Sequence, residues 1–415
     1  MDLTPVIIVA GLFLFYSLFS KRLETTSLTA PMIFTSAGLL IGLFWKDLFG
    51  DSNMNHGTVH LLAEVTLIFV LFTDAARINF KTLQRDHILP QRMLIIGLPL
   101  TIIFGTLAAY FLFGRFLLWE AALLAAILAP TDAALGQAVV SSEDVPIRIR
   151  QTLGVESGLN DGFALPAVLI FASLASAAMA DHSGLYWVQF TFLQIVLGPL
   201  AGVVIGFIGA KLIDLFTNKK WISKAFEGIC ALSIALIAFT AAELIGGNGF
   251  ISAFVGGLSF GHFLSHRCEF LYEFAESEGQ FFTLTTFLIF GTIAIHLIGD
   301  EFYWTYVLYA ILSLTIIRML PIAVSLIGTK VNKYTVLFLG WFGPRGLASI
   351  LFALLILEKM EIVHSGPIIS TVIITVLMSV FLHGITAFPA SRKYGSIIRK
   401  AGECEEMKPV SETGG

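Results

Sequence analysis

The sequence predicts an all-α polytopic membrane protein with about 13 transmembrane helices. Of its 415 residues, 56% are hydrophobic and 13% are charged, and the mean hydropathy is +0.86. A soluble globular domain of this length does not have such a composition. Backbone polar groups inside a bilayer must be satisfied within the protein, and the alternation expected of a β-barrel strand is absent. The apolar segments are therefore predicted to be helices.

The apolar segments follow one another with short connections. Each is long enough to cross a hydrocarbon core of about 30 Å, some only when polar residues are included. We divide the chain into a membrane domain at 1–390 and a short cytoplasmic tail at 391–415, whose polar end from Glu403 to Gly415 is predicted to be disordered. The thirteen segments lie at 4–20, 28–45, 58–75, 91–113, 119–140, 149–179, 187–217, 224–245, 248–265, 277–299, 303–328, 336–358 and 367–389.

The basic residues predict the orientation. Twenty of the 25 Lys and Arg residues lie in alternate connections and in the tail, and three lie in the opposite connections. Cytoplasmic loops carry the excess of Lys and Arg, so the N-terminus is predicted outside and the C-terminus in the cytoplasm. We expect a multi-pass protein of the cell (inner) membrane, with membrane lipid as its surroundings.

Other features narrow the functional class. The net charge is only −4, and no basic patch with interleaved aromatic residues suggests a nucleic-acid partner. The spacing of Cys230, Cys268 and Cys404 fits neither a metal site nor a disulfide framework. We expect no cofactor, no nucleic-acid partner and no enzymatic activity.

Segment 5 contains a helix-breaking sequence, Pro130-Thr131-Asp132, deep in the predicted membrane. Proline removes a backbone donor and clashes with the preceding turn. A helix broken there frees polar backbone groups, which is tolerated only where they face protein or a cavity. A simpler interpretation is a proline kink with Asp132 as an N-cap, but a cap also requires a helix start.

Segment 12 contains a second break, from Gly340 through Pro344 and Arg345 to Ser349. Segments 5 and 12 are predicted to cross in opposite directions. Interrupted segments at matching positions of two inverted halves indicate a transporter binding site. We therefore predict two inverted repeats of six helices, segments 1–6 and 8–13, joined by segment 7, with broken helices 5 and 12 crossing at mid-membrane.

Segment 6 carries a polar stripe in an apolar helix. Ser157, Asn160 and Asp161 lie on one side of the predicted helix, with Glu156 at the edge. Asp161 is about 15 Å from the predicted membrane surface. A carboxylate there is costly and by default indicates an ion or substrate path, although pairing with a buried Arg is the structural alternative. Carboxylate, hydroxyl and carbonyl oxygens suit a hard monovalent cation such as Na⁺.

Other charged residues in the segments have several possible roles. Glu64 in segment 3 is either a site residue or a structural one. We interpret Arg318 in segment 11 as structural support and predict that Arg345 pairs with Glu156. Asp74 lies near a segment end and is interpreted as interfacial.

Four sequence motifs together resemble the NhaP-type sodium/proton antiporters of the cation:proton antiporter 1 group. The resemblance covers nearly the whole chain in order. The motifs are Pro-Thr-Asp132, Glu156-Ser-Gly-Leu-Asn160-Asp161-Gly, Asn248-Gly-Phe-Ile-Ser-Ala-Phe-Val-Gly-Gly-Leu and Gly-Pro344-Arg345-Gly-Leu-Ala-Ser-Ile.

The resemblance implies a homodimer of thirteen-helix protomers. Segments 1–3 and 8–10 would form the dimer and scaffold side, segments 4–6 and 11–13 a mobile core, and segment 7 a linker. The family pattern of Thr-Asp-Pro differs from this chain, where Ala133 follows Asp132, so the break is expected to be displaced by a residue or two. The resemblance implies that the ion and proton site comprises Asp161, Asp132, Ser157, Thr131 and Glu64, with Asn160, Glu156, Arg345 and Arg318 in support.

The expected function is electroneutral Na⁺/H⁺ antiport by alternating access, with Na⁺ and H⁺ competing for Asp161. Burial of a carboxylate disfavours its charged form, and a bound cation favours it, so either a proton or a cation can occupy the group. K⁺/H⁺ exchange at the same site is the main alternative. A passive cation channel and an intramembrane aspartyl protease are remote alternatives, the latter because the Gly-x-Gly-Asp pattern is absent.

Overall fold

A computed structural model describes residues 4–23, 26–44, 56–78, 88–177, 184–265, 278–298, 302–359, 361–401 and 405–407. Within these ranges the ordered elements are helices and no strand is present. The prediction of an all-α protein is confirmed. Cys268, Cys404 and several basic loop residues used for the orientation lie outside the described residues.

The helices are numbered after the predicted segments that they overlap. A π-helical turn at Met93–Gly97 interrupts α4, and Thr315 interrupts α11. The bounds are α1 Thr4–Leu23, α2 Ala30–Phe44, α3 His56–Ala76, α4 Ile88–Phe113, α5a Leu118–Ile127, α5b Ala133–Val140, α6 Ile147–Ala177, α7 Gly184–Asn218, α8 Lys224–Leu244, α9 Gly249–Phe263, α10 Glu278–Leu297, α11 Trp304–Ser325, α12a Lys333–Trp341, α12b Leu347–Lys359 and α13 Ser365–Ala401.

Long apolar helices dominate the described part of the chain. Seven of them are long and apolar enough to cross a membrane by length and composition, and shorter apolar helices accompany them. Two predicted segments, 5 and 12, are each split into two short helices. The chain is a multi-pass membrane protein, while the number of thirteen crossings stays a prediction.

Small residues bring the helices of one group into close contact. Gly202 and Gly206 of α7 face the backbone of α9 so closely that a Cβ at either position would overlap it. Gly38 of α2 and Gly291 of α10 pack against each other's helix in the same way. Gly257 of α9 meets the backbone of α3. Close backbone approach through small residues is a common way for helices to associate in membranes. It also explains the glycines Gly256 and Gly257 in the motif that begins at Asn248.

The second group of helices contains both breaks. Helices α4, α5a, α5b and α6 pack with one another and with α11, α12a, α12b and α13. Helix α6 also contacts α3, α7 and α9 of the first group. Helices α12b and α13 also contact helices of the first group, so the division into scaffold, core and linker stays a prediction.

Part of the tail is ordered and packed on the protein. Helix α13 continues past the predicted boundary at 390 to Ala401, and a 3₁₀ turn follows at Glu405–Met407. Glu406 is buried and its Oε1 accepts hydrogen bonds from the Asn332 amide and the Thr335 hydroxyl, both at 2.6 Å. Arg148 donates to the Glu405 carbonyl at 2.7 Å. The predicted disorder is therefore wrong for this turn, because its polar groups bind helix ends.

Candidate ion-binding site

The two helix breaks contact each other. The amide of Asp132 donates to the carbonyl of Pro344 at 2.8 Å. The guanidinium of Arg345 donates to the carbonyls of Ala129 and Pro130, the latter at 3.0 Å. Carbonyls at the end of a helix lack intrahelical partners, and burial without a partner is costly. Each break thus supplies the hydrogen bonds that the other needs.

Asp132 caps two short helices at once. Its Oδ1 accepts from the amide of Leu135 at 2.8 Å, in the first turn of α5b. Its Oδ2 accepts from the amide of Leu347 at 2.7 Å, at the start of α12b. A Cβ on Gly346 would overlap the Asp132 carboxylate, so glycine leaves it room. Both helix N-termini favour a negative charge at this position. The interpretation of Asp132 as an N-cap was correct but incomplete.

A hydrogen-bond network joins α6 to the break in helix 5. Thr131 Oγ1 lies 3.0 Å from Ser157 Oγ and accepts from Asn160 Nδ2 at 2.5 Å. All three side chains are buried. The structure therefore brings Thr131, Ser157 and Asn160 together, as the polar stripe and the family resemblance predicted, and the break lies between the end of α5a at Ile127 and the start of α5b at Ala133.

Asp161 lies beside this network with an unsatisfied carboxylate. Its side chain is buried, and no hydrogen-bond partner for its Oδ1 is found among the described residues. The Oδ1 atom of Asn160 is likewise buried and unpartnered there. Asp161 interacts electrostatically with Asp132 and Asp74. Unpartnered buried oxygens are rare in native proteins and call for an explanation such as an ion site.

An aromatic ring packs against the residue that follows Asp161. Gly162 lies directly against the ring of Phe254, and a Cβ at this glycine would overlap the ring. Phe254 belongs to the motif that begins at Asn248, whose side chain caps α9 by accepting from Ile251 at 3.0 Å. Two of the four quoted motifs therefore meet at this contact between α6 and α9.

The predicted pairing of Glu156 with Arg345 is wrong. Glu156 pairs with Arg318, whose Nη2 lies 2.6 Å from Oε1 and 2.8 Å from Oε2. Both side chains are 2% exposed. Arg345 instead binds the carbonyls of the other break. A buried carboxylate needs one close cation, and Arg318 reaches it from α11.

A cavity of about 550 Å³ leads to the site. It extends from Ser157 and Gly158 to the helix ends that carry Arg77 and Arg148. Asp74 lines this cavity. The cavity therefore connects the polar network to the end of the bundle that carries many basic residues.

The acidic residue that α3 contributes to the cavity is Asp74 and not Glu64. Glu64 is absent from the cavity lining, and it precedes Asp74 by ten residues, which is about 15 Å along a helix. Asp74 also interacts electrostatically with Asp132 and Asp161. The role of Glu64 stays a prediction, and Asp74 is a second acidic residue of α3 that lines the cavity. The signal that could have found Asp74 is a carboxylate followed one turn later by Arg77 at the basic end.

The donor atoms around Asp161 limit what can bind. They are carboxylate, hydroxyl and amide oxygens from Asp161, Ser157, Thr131 and Asn160. Within the described residues, no group of three or more His, Cys, Asp or Glu side chains could hold a metal ion. Oxygen ligands without imidazole or thiolate suit hard cations such as Na⁺ or K⁺ and not soft transition metals. Such a cation would be cargo.

A comparison with known protein families identifies the family of this chain. The family model described as sodium/hydrogen exchanger, transmembrane, matches residues 8–393. The chain belongs to this exchanger family. Family membership places it among secondary transporters and not among enzymes.

Curated relatives of the exchanger family are similar over most of this chain. The K⁺/H⁺ antiporter NhaP of Alkalimonas amylolytica is 25% identical over 354 residues, which cover 84% of this chain and 60% of that protein. The Na⁺/H⁺ antiporter NhaH of Halobacillus dabanensis is 26% identical over 385 residues, 87% of this chain and 90% of that protein. This chain spans only about half to three fifths of the length of the first two curated relatives.

A solved exchanger structure has the same fold. The sodium proton antiporter MjNhaP1 from Methanocaldococcus jannaschii, solved at pH 8, matches with a TM-score of 0.74 at 20% sequence identity. The match covers 92% of this chain and 100% of that chain. The resemblance of the four motifs to NhaP-type antiporters is thereby confirmed, and the architecture is that of an exchanger.

Proposed function

We propose that this protein exchanges Na⁺ for H⁺ across a membrane by alternating access, with Asp161 carrying either ion. The observation that supports this most directly is the buried Oδ1 of Asp161, which finds no hydrogen-bond partner in the described structure. A proton on the carboxyl or a cation against the carboxylate would each satisfy it. Asp132, Ser157 and Thr131 are the further proposed ligands, with Asp132 constrained by the two helices that it caps.

The charges around the site support a one-for-one, electroneutral exchange. Asp132, Asp161 and Glu156 contribute three carboxyl groups, and Arg318 and Arg345 contribute two guanidinium groups. The formal charge of this buried cluster is therefore −1 when all five are ionised. One bound Na⁺ or one proton neutralises it. An apolar barrier opposes movement of a charged cluster, so only the two loaded states are expected to cross.

The remaining acidic residue of the cavity leaves this balance unchanged. Asp74 interacts with the nearby Arg77, and the two formal charges cancel. We propose that Asp74 takes the role first assigned to Glu64, by attracting the cation on its way to Asp161. Under the predicted orientation the cavity opens to the cytoplasm, with the N-terminus outside and the protein in the cell (inner) membrane.

K⁺/H⁺ exchange is the second candidate. One of the similar curated proteins is named a K⁺/H⁺ antiporter and another a Na⁺/H⁺ antiporter, so relatives with either name are similar in sequence to this chain. Both ions suit oxygen donors, and selectivity depends on the size of the space around Asp161. A homodimer with a fixed scaffold and a moving core is proposed with the same mechanism, and the grouping of the helices by their closest contacts supports it.

The decisive experiment is cation-driven proton movement in proteoliposomes loaded with a pH dye. Addition of Na⁺, K⁺ or Li⁺ to the purified protein should change the internal pH, and the most effective ion identifies the substrate. Asp161→Asn should abolish the exchange while the protein still elutes as a folded species in detergent. Full exchange by Asp161→Asn would refute the assignment.

The same vesicles separate the remaining alternatives. An electroneutral exchanger should run at the same rate whether or not a K⁺ diffusion potential is imposed with valinomycin, in the assay with Na⁺. Strong acceleration by the potential would contradict the one-for-one stoichiometry. Cation uptake without any proton movement would indicate a channel.

A further inference from the structure

The break in helix 12 is held by two side chains of α13. The carbonyl of Trp341, at the end of α12a, lies 2.9 Å from His383 Nε2. The amide of Arg345, inside the break, donates to Ser379 Oγ at 2.7 Å. Ser379 and His383 are one helical turn apart and both are buried. A single face of α13 therefore binds both ends of the unwound segment.

The hydrogen bond to Trp341 places a proton on Nε2 of His383. Trp341 offers a carbonyl, which can only accept, so Nε2 must donate. Nδ1 lies 3.1 Å from Ser379 Oγ and 3.0 Å from the Ser379 carbonyl oxygen, and the Ser379 hydroxyl accepts from the Arg345 amide. Both ring nitrogens therefore have hydrogen-bond partners. Leucine at 383 would remove the donor to the Trp341 carbonyl and the ring nitrogen that faces the Ser379 hydroxyl.

The same arrangement occurs at the other break. In helix 5 the residue after the break proline, Thr131, is hydrogen-bonded to Ser157 of α6. In helix 12 the residue after the break proline, Arg345, is hydrogen-bonded to Ser379 of α13. In both helix pairs a serine of the following long helix binds the first residue after the proline. The two breaks share this serine contact, which involves the side chain of Thr131 in one break and the backbone amide of Arg345 in the other.

The residue one turn after each serine distinguishes the two halves. After Ser157 it is Asp161, whose oxygen is unpartnered, and after Ser379 it is His383, which is fully partnered. In the first half this position carries Asp161, the residue proposed to bind the exchanged ion. In the second half the corresponding residue, His383, forms hydrogen bonds to the backbone of the break.

We propose that Ser379 and His383 are positioning residues for ion exchange, which act through Asp132. The break that Ser379 and His383 hold also provides the two backbone groups of helix 12 that bind Asp132. These groups are the carbonyl of Pro344, 2.8 Å from the Asp132 amide, and the amide of Leu347, 2.7 Å from Oδ2. The inference rests on the proposed cation exchange. If the segment shifts, Asp132 loses its second cap and the cation site loses its geometry.

The variants are chosen to separate positioning from general stability. Ser379→Ala and His383→Leu remove the hydrogen bonds to the break, whereas His383→Gln keeps a donor and an acceptor in the same side chain. Thr386→Val is the matched control. Thr386 is also on α13 and accepts from the indole nitrogen of Trp341 at 2.9 Å, so it binds the side chain of that residue and not the backbone of the break.

The first measurement is the Na⁺ concentration for half-maximal exchange in proteoliposomes, normalised to folded protein. We expect Ser379→Ala and His383→Leu to raise it about tenfold, equivalent to about 1.4 kcal/mol, while His383→Gln and Thr386→Val stay near the wild-type value. A merely structural role would lower the amount of folded protein without changing this concentration. An unchanged value in Ser379→Ala, the smallest alteration, overturns the inference.

The second measurement does not depend on transport. Hydrogen–deuterium exchange of a peptide that covers 341–347 should become faster in Ser379→Ala and His383→Leu and not in Thr386→Val. Unchanged protection in both α13 variants also overturns the inference. If the wild-type protein moves no protons in response to any cation, the proposed function fails, and the deuterium experiment still decides whether α13 holds the break.

Discussion

Replacing Glu156 by glutamine should destabilise the protein strongly, because it leaves a buried guanidinium without its counter-charge. Arg318 and Glu156 are 2% exposed, and two N–O distances of 2.6 and 2.8 Å join them. The Nε atom of Arg318 already has no partner in the described structure. The guanidinium also lies within electrostatic range of Arg345, so the change leaves two like charges with no carboxylate between them.

The size of the effect follows from burial. Breaking a buried ion pair by removing one partner costs on the order of 3–5 kcal/mol, whereas an exposed pair contributes about 0–1 kcal/mol. The pair of Arg399 and Asp144 provides the comparison, since its N–O distance is 2.9 Å but its side chains are 54% and 35% exposed. We therefore expect Glu156→Gln to lower the free energy of unfolding by several times more than Arg399→Gln.

The assay is unfolding of the purified protein in mixed micelles, with both variants and a double variant measured under one condition. Glu156→Gln combined with Arg318→Met removes both charges, so the double variant should be more stable than Glu156→Gln alone. The reasoning is refuted if Glu156→Gln and Arg399→Gln lose the same free energy, or if the double variant shows no recovery.

Two further predictions concern the cavity and the contact between the breaks. Asp74→Asn should raise the Na⁺ concentration for half-maximal exchange, because the carboxylate lines the cavity, whereas Glu64→Gln should change it less; a larger effect of Glu64→Gln in the proteoliposome assay would contradict this proposal and support Glu64 as the site residue. Gly346→Ala should lower both folded yield and exchange, since its Cβ would overlap the carboxylate that caps α12b, whereas Gly136→Ala meets no atom within 4 Å. Equal folded yields and equal exchange rates of the two alanine variants would contradict this prediction, because they would show that neither folding nor exchange depends on the contact between the breaks.

The sequence was sufficient to predict where the helix breaks and the candidate site lie. Proline and glycine interruptions in apolar segments, together with an isolated group of polar residues in α6, pointed to the breaks and to Asp161. These signals are local, because a proline removes a backbone donor wherever it occurs and a mid-membrane carboxylate is costly in any fold. The four motifs added the family, which the match over residues 8–393 confirmed.

The partners of the charged residues could not be predicted in the same way. Two arginines on different helices were available for Glu156, and the correct one, Arg318, is 162 residues away in the chain. Likewise α3 offers two carboxylates, and only its packing against α6 and α9 decides that Asp74 lines the cavity. Long side chains reach several positions, so sequence spacing does not select among them.

The tail illustrates the same limit. The stretch from Glu403 onward is polar and short of apolar residues, which is typical of disorder. Glu406 is nevertheless buried, because its carboxylate accepts hydrogen bonds from an amide and a hydroxyl at the N-terminal end of α12a. A polar segment can be ordered by binding helix ends, and that depends on where those ends lie.

The sequence by itself determined the helical membrane architecture, the location of both breaks and the acidic residue proposed to carry the ion. These features follow from the free-energy cost of placing polar groups in an apolar medium, which depends on residue type and spacing alone. Only the tertiary structure decided that Asp132 caps two helices, that Arg345 binds the opposite break, and that His383 holds the backbone where the first half carries Asp161. These depend on hydrogen bonds between helices far apart in the chain, and only packing brings those atoms within 3 Å of one another.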